Sequence, residues 1–486
     1  MAIDWKDYQS PDCFDELILP SGRARAGAGT LCRTFAGMNA HELKERKAAA
    51  ELAIRTMGIT FTVYNDVEGS IDREWPFDII PRIIQANEWD EIERGLKQRV
   101  KALNRFIDDV YHDQQIMNDG VVDPAVIANS KDYRPECRGI SPPHGIWSHV
   151  CGSDLVRDEN GDVYVLEDNL RVPSGVAYML ENRQVMKRVL PELFAEYLIR
   201  PVDDYPTQLY ETLCSLTPEA QPNIAVLTPG IYNSAYFEHA YLAQEMGALL
   251  VEGSDLTVGR DRKVYARTIS GLTRIHVIYR RIDDLFLDPK VFRADSMLGV
   301  PGLMSAWQAG HVALANAPGC GVADDKLVYT YVPDMIRYYL NEEPILANVP
   351  SYRCNVRDER DYVVNNLDKL VVKPVSESGG YGMLIGPKAK VKERQEFADK
   401  IRRNPRNFIA QPMLSLSTAP AVIGAKAEPR HLDLRPFILS GADTAVTAGG
   451  LTRVAMVKGS IVVNSSQGGG SKDTWIVGGT TEGDEA

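Results

Sequence analysis

The sequence lacks most of the motifs by which function classes declare themselves. Its seven cysteines (Cys13, Cys32, Cys137, Cys151, Cys214, Cys320 and Cys354) are scattered and odd in number, with no CxxC, and none of its eight histidines belongs to an HExxH. A zinc site or a disulfide framework is therefore not expected, and a reducing, cytoplasmic setting is. No apolar run approaches 18 residues, so no membrane span is expected. The first residues, MAIDWKDYQS, lack the basic-then-apolar pattern of a signal peptide. Positive charge is in the minority: 54 Lys and Arg stand against 66 Asp and Glu, a net charge of −12. That argues against a broad nucleic-acid or anionic-membrane surface and leaves room for a local basic pocket. No Walker A loop is present, because neither glycine cluster ends in GK[ST]: in SSQGGGSKD, Gly470 is followed by Ser471 and only then by Lys472.

What is present is an ordinary globular composition, 44% hydrophobic and 25% charged, over 486 residues. One core stops growing at roughly 250–300 residues, so two or three domains are expected. Residues 1–35 read as irregular. Residues 40–57 read as a helix opened by Asn39 and Glu42 and stopped at Gly58. Residues 88–117 carry one apolar stripe, Trp89, Ile92, Leu96, Val100, Leu103, Ile107 and Val110, at helical spacing. A helix over 174–199 follows. NIAVLT (223–228), a helix over 235–246 capped by Asn233 or Ser234, and ALLVEG (248–253) form a β-α-β unit of the parallel type without GxGxxG. Short strands follow at 264–267 and 276–281. From 369 the chain reads strand, glycine-rich loop, strand, then further strands at 407–414, 431–441 and 451–463. The acidic tail from about 478 is expected to be disordered. The segments expected are 1–120 (mainly helical), 121–215 (carrying an acidic hairpin), 216–320 (the β-α-β unit) and 321–486.

Two acids inside strands demand explanation, because acids are disfavoured there. Asn160-Gly161 is a strong hairpin signal. With those two residues as the loop, Asp154 stands opposite Glu167; Glu167 and Asn169 share one face, and Asp168 takes the other. Like charges opposite each other destabilise a ladder, and a cation between them reverses the sign. Asp, Glu and Asn offer only oxygen ligands, which suit Mg²⁺ shared with phosphate oxygens. A solvated hairpin with its acids facing water gives the same pattern, and a one-residue slip in the turn would flip every side chain. An EF-hand is a poor fit, since the sixth residue from Asp158 is Val163 rather than Gly.

Lys373 ends an apolar strand and leads into Ser376-Glu377-Ser378-Gly379-Gly380-Tyr381-Gly382. Glycines let backbone N–H groups approach an anion, and the lysine supplies a point charge. Alone, such a hairpin is as well explained structurally. Lys326, after Asp324-Asp325, reads alone as a surface lysine at a helix start, and Arg435 and Arg453 read alone as strand arginines facing solvent.

Together these residues resemble the ATP-grasp superfamily, which binds ATP between two α+β lobes. Asp154, Glu167 and Asn169 match its Asp…Glu-x-Asn magnesium set. Lys326, Lys373 and the 376–382 loop (Ser378, Gly379, Gly380, Tyr381, Gly382) look like its phosphate-holding part, and Ala410-Gln411-Pro412-Met413 falls where its adenine hinge lies. The carboxylates precede the lysines, the reverse of the common order. That order resembles the circularly permuted group related to the synthetase domain of glutathionylspermidine synthase, and phrases such as FDIIPRII, YRRIDDLFLDP and GVADDKLVYTYVPDMIRYYL look like its type 2 branch. The resemblance spans roughly residues 75–470. It implies a mixed α+β and α/β fold: a permuted ATP-grasp core with a Rossmann-like pre-ATP-grasp β-α-β unit and an N-terminal helical segment.

The resemblance implies ATP and Mg²⁺ as cofactors. It further implies an ADP-forming carboxylate–amine ligase that works through an acyl phosphate on small-molecule or peptide substrates, with no nucleic acid or membrane partner. A phosphotransferase and a non-catalytic ATP-binding partner of a multi-protein system are the alternatives. The related synthetase has an Arg-x-Asp triplet where this chain has Gly152-Ser153-Asp154, so the γ-phosphate arginine must come from elsewhere. Arg281, Arg435 and Arg453 are the catalytic candidates, with Arg171 a further one.

Overall fold

A computed structural model describes the chain apart from residues 1–2, 11–12, 66–68, 378–381, 425, 461–462, 464–468 and 479–486. The expected disordered tail from about 478 and the loop residues Ser378, Gly379, Gly380 and Tyr381 therefore lie outside the described residues, all but Gly478 of the tail.

The scaffold is a ten-stranded mixed sheet. Its main path runs Ala347–Asn348, Val163–Asn169, Val150–Arg157, Lys426–Arg435, Leu451–Val454, Gly470–Val477, Phe77–Gln85. Strands from the two ends of the chain thus lie side by side, with Gly470–Val477 pairing in parallel with Phe77–Gln85. The helix Ala86–Tyr111 follows the last strand of this path directly and buries the whole apolar stripe expected of it. Burying each such side chain contributes about 1.5–3 kcal/mol, which is what holds this long helix in place. It ends at Tyr111 rather than near 117, and a short helix, Gln115–Asn118, follows the break.

The β-α-β unit is there: Ile224–Leu227, helix Tyr236–Met246 and Leu249–Val251 belong to a four-stranded parallel sheet ordered Ala313–Ala315, Val277–Arg280, Ile224–Leu227, Leu249–Val251. The helix opens at Tyr236, one residue later than a Ser234 cap and two later than an Asn233 cap would place it. Asn233 Oδ1 accepts from Ala235 N, and Ala235 itself is the cap. Asn39 caps Ala40–Thr56 as expected, accepting from the His41 and Glu42 amides. The helical stretch at 174–199 is two helices, Val176–Val189 and Pro191–Glu196, divided at Leu190 because Pro191 cannot donate into a continuing helix.

A second antiparallel sheet, ordered Tyr352–Arg353, Phe408–Pro412, Leu370–Pro374, Leu384–Ile385, has a small core of its own, including Val363, Leu367, Val372, Ile401 and Ala410. The fold is mixed α/β, as expected. Among the described residues no helix is long and apolar enough to cross a membrane.

Candidate functional site

The hairpin of acids forms, with one difference in its turn. The strands end at Arg157 opposite Val163, and residues 158–162 between them turn at Gly161 (φ 94°), with the Asp158 N–H donating to the Asp162 carbonyl at 3.1 Å. This is one residue off a two-residue Asn-Gly turn. A bulge between Asp154 and Leu155 then shifts the register back, and Asp154 does face Glu167, Ser153 faces Asp168 and Gly152 faces Asn169.

In this ligand-free arrangement the facing acids are not left in repulsion, because each has its own cations. Asp154 is almost fully buried and receives Arg435 through two bonds of 2.6 and 2.8 Å and Arg453 through one of 2.7 Å. Burial raises its pKa, but the two guanidiniums outweigh that and hold it well below the usual carboxylate range. Glu167 lies 3.3 Å from Lys326 Nζ, which also donates to the Glu377 carbonyl at 2.7 Å. Asn169 Nδ2 donates to the Gly152 carbonyl at 3.2 Å. Its Oδ1 has no partner among the described residues.

Lys326 opens a short helix whose first backbone N–H bonds the Val375 carbonyl, so it is fastened to the strand that carries Lys373. The half-buried Lys373 makes no hydrogen bond or ion pair with a described residue. Burial pushes its pKa down to about 8; Glu167 and Asp154 oppose the shift and Lys326 adds to it. A half-buried lysine with no carbonyl or carboxylate partner among the described residues suits an anionic ligand. Beyond it the chain enters the loop, of which Gly382 (φ 68°) is described. A cavity of about 300 Å³ opens beside the loop, between Pro374–Glu377, Gly382, Phe397 and Lys131.

The hinge candidates flank this strand: Val372 pairs with Ala410, Val371 with Gln411 and Leu370 with Pro412. Gln411 is buried and its Nε2 donates to Ser351 Oγ at 3.0 Å. Met413 follows the strand's last residue.

The four candidate arginines separate. Arg435 and Arg453 meet at Asp154. Their strands pair with Arg435 opposite Leu451 and Asp433 opposite Arg453. Arg435 also passes beside Gly152: a Cβ added there would stand 3.3 Å from Pro173 Cβ and 3.4 Å from Arg435 Cδ, close to ordinary contact. Arg281 is buried elsewhere, on Glu238 (3.1 Å), Ser174 Oγ (2.6 Å) and Tyr279 Oη (2.8 Å), and reaches Arg435 only through Ser174, whose carbonyl Arg435 contacts at 3.2 Å. Arg171 is taken up by Asp324, Asp132 and Asp283.

Other residues of the site gave no signal in the sequence. Asp168, on the face opposite Glu167, is bound by Arg99 through three contacts of 2.6 to 3.0 Å and by Ser153 Oγ at 2.8 Å. Arg99 continues to Asn348 (2.7 Å), Asn348 to the Tyr329 carbonyl, and the Tyr329 hydroxyl to the Val165 carbonyl at 2.6 Å. This network fixes the Lys326 helix against the acidic strand from below.

The three oxygen donors Asp154, Glu167 and Asn169 suit Mg²⁺, with one qualification: Asp154 is already matched by two arginines. The set therefore fits a metal that arrives with an anion rather than a stand-alone metal site.

The chain belongs to the family described as circularly permuted ATP-grasp type 2, which it matches over residues 81–455. An uncharacterized protein of Synechocystis sp. is 54% identical over 98% of this chain and 99% of its own length, and one of Mycobacterium tuberculosis is 52% identical over 96% and 84%. A protein of Frankia casuarinae, provisionally named glutamate–cysteine ligase 2-2, is 43% identical over 96% of this chain, which spans only 54% of that protein. Among solved structures, a glutathione synthetase-like effector of Globodera pallida in its apo form superposes with a TM-score of 0.60 at 10% identity, over 90% of this chain and 98% of that one. This last likeness is one of fold.

Proposed function

We propose that the protein is an ATP- and Mg²⁺-dependent, ADP-forming ligase that joins a carboxylate to an amine through an acyl phosphate. The observation that carries the reading is the convergence of Asp154, Glu167, Lys326, Lys373, Arg435 and Arg453, drawn from both sheets. Four cations against three carboxylates, Asp433 included, leave an excess of positive charge that suits a polyphosphate with its metal. Membership of the ATP-grasp family supports the same reading, as does the ligase name of the Frankia protein, although that name describes a protein nearly twice as long.

Lys326 and Lys373 would bind the inner phosphates of ATP. Ala410–Met413 would border the adenine. Asp154, Glu167 and Asn169 would hold Mg²⁺, which when bound offsets charge on the phosphate oxygens. The substrate carboxylate oxygen attacks the γ-phosphorus and the bond to the β–γ bridging oxygen breaks, leaving ADP. Arg435 and Arg453 would face the charge that develops on the transferred group. The amine then attacks the acyl carbon and phosphate departs.

The experiment is isotopic. With ¹⁸O in the carboxylate of a substrate found by incubation with ATP, Mg²⁺ and a metabolite extract, one label should appear in the released phosphate. Label in AMP would replace this reading with adenylation. A phosphorylated product with no phosphate released would mean a phosphotransferase.

A further inference from the structure

On the ATP-dependent reading above, we infer that Asp433 is a positioning residue: it holds Arg453 toward the terminal phosphate of the nucleotide independently of Asp154. The two arginines at Asp154 are not equivalent. Arg435 places Nε and Nη2 on Asp154, and its other contact is the Ser174 carbonyl at 3.2 Å. Asp154 is thus its only carboxylate partner among the described residues. Arg453 gives Asp154 one bond, from Nη2, and places Nε and Nη2 on Asp433 at 2.9 and 2.5 Å. Asp433 stands directly across the ladder from Arg453 and is buried. Arg453 Nη1 makes no bond to a described residue.

Asp154 offers about four lone-pair sites, and the two guanidiniums take three of them. A cation drawn to Asp154 competes with both arginines there, and Arg435 has no second carboxylate among the described residues to fall back on, whereas an arriving phosphate would offer it one more anion. Arg453 loses one bond and keeps two. Its guanidinium plane stays fixed by Asp433, with Nη1 directed away from that pair. One arginine therefore changes partner while the other is set in place beforehand. Preorganised donors aimed at a phosphoryl group need no reorganisation when charge develops there. Arg281 has no part in this, being held by Glu238, Ser174 and Tyr279.

The readout that separates positioning from mere support is the preference for ATP over ADP. Dissociation constants for both nucleotides with Mg²⁺ are measured by calorimetry on the full chain, for the parent, Asp433→Asn and Arg453→Lys. The parent is expected to prefer ATP. Asp433→Asn should weaken ATP binding on the order of tenfold and leave ADP nearly unchanged, because a charge-assisted pair is replaced by a single neutral contact. Arg453→Lys should lose the same preference, since lysine keeps the charge but cannot make the fork. An ATP/ADP ratio equal to the parent's in Asp433→Asn overturns the inference. Should that variant fail to fold, an unchanged ratio in Arg453→Lys does so. A parent that binds neither nucleotide, or both equally, rejects the underlying reading of the site instead.

Discussion

Lys373 makes the site's most quantitative prediction. Its pKa in the ligand-free protein is pushed down to about 8 from the ordinary 10.5, chiefly by burial. A bound triphosphate restores the ordinary value by supplying the missing negative charge. Nucleotide then binds the protonated lysine, and apparent affinity falls as pH rises through 8. With those two values the dissociation constant should be almost flat below pH 7 and about tenfold weaker at pH 9, or about 1.4 kcal/mol. Ionisation of the nucleotide's own terminal phosphate is common to every titration and cancels in the comparison with Lys373→Arg. The assay is calorimetric titration with a non-hydrolysable ATP analogue and Mg²⁺ at pH 7.0, 8.0 and 9.0. Lys373→Arg, charged throughout, should show no such slope. Equal affinity at all three pH values, or the same slope in Lys373→Arg, would refute the assignment.

The same shift carries a stability consequence of opposite direction. The folded pKa lies below the unfolded one, so between about 8 and 10.5 the unfolded chain binds more protons, and ligand-free stability rises with pH across that window. Below pH 8 the buried ammonium is a standing cost. Lys373→Met should therefore raise ligand-free stability at pH 7 by about 1–3 kcal/mol while abolishing nucleotide binding. A structural lysine would do the reverse on both counts.

Three further outcomes are expected. Mn²⁺ titrated into nucleotide-free protein should remain free by electron paramagnetic resonance, because Arg435 and Arg453 already occupy Asp154, and should bind once an ATP analogue is present; tight Mn²⁺ binding without nucleotide would contradict this. Arg99→Met strands the buried Asp168 and should cost about 3–5 kcal/mol in urea denaturation, with part recovered in the Arg99→Met, Asp168→Asn double variant. Gly386→Ala should destabilise the protein by at least 1–3 kcal/mol (roughly the cost of overpacking), because the added Cβ would fall 1.6 Å from the Leu367 carbonyl oxygen and 2.6 Å from that of Leu370.

The parts of this site that were legible in the sequence are those set by local rules. The stripe from Trp89 to Val110 follows from helical periodicity, and all seven residues are buried. Lys373 and the strand pair around it follow from an apolar run broken by glycines, and the pairing of Val372 with Leu384 matches. The acidic hairpin shows how far such rules extend. A two-residue turn at Asn160-Gly161 is not what forms, since Arg157 pairs with Val163 across a longer loop. Taken alone, that slip would have put Glu167 on the wrong face. The bulge beside Leu155 inserts one extra residue on the Val163–Asn169 strand, and the acids face each other after all. Bulges of this kind re-aim side chains next to functional sites, and no residue pattern in the hairpin announces this one. What was illegible depends on residues far apart in the chain. The partners Arg99 and Asp168 are 69 residues apart, Arg183 and Asp473 290, and Lys472 and Asp78 394. Each charge read alone is a solvated surface group. Only closure of the ten-stranded sheet, bringing Gly470–Val477 beside Phe77–Gln85 and Lys426–Arg435 beside Val150–Arg157, turns them into buried pairs. Asp433 belongs to that class. Two residues before Arg435 on one strand, it reads as an ordinary alternating acid until Leu451–Val454 lies alongside and sets Arg453 against it. The acids and Lys373 are therefore written locally, while the geometry of the arginines that would act on the phosphate is a product of the sheet.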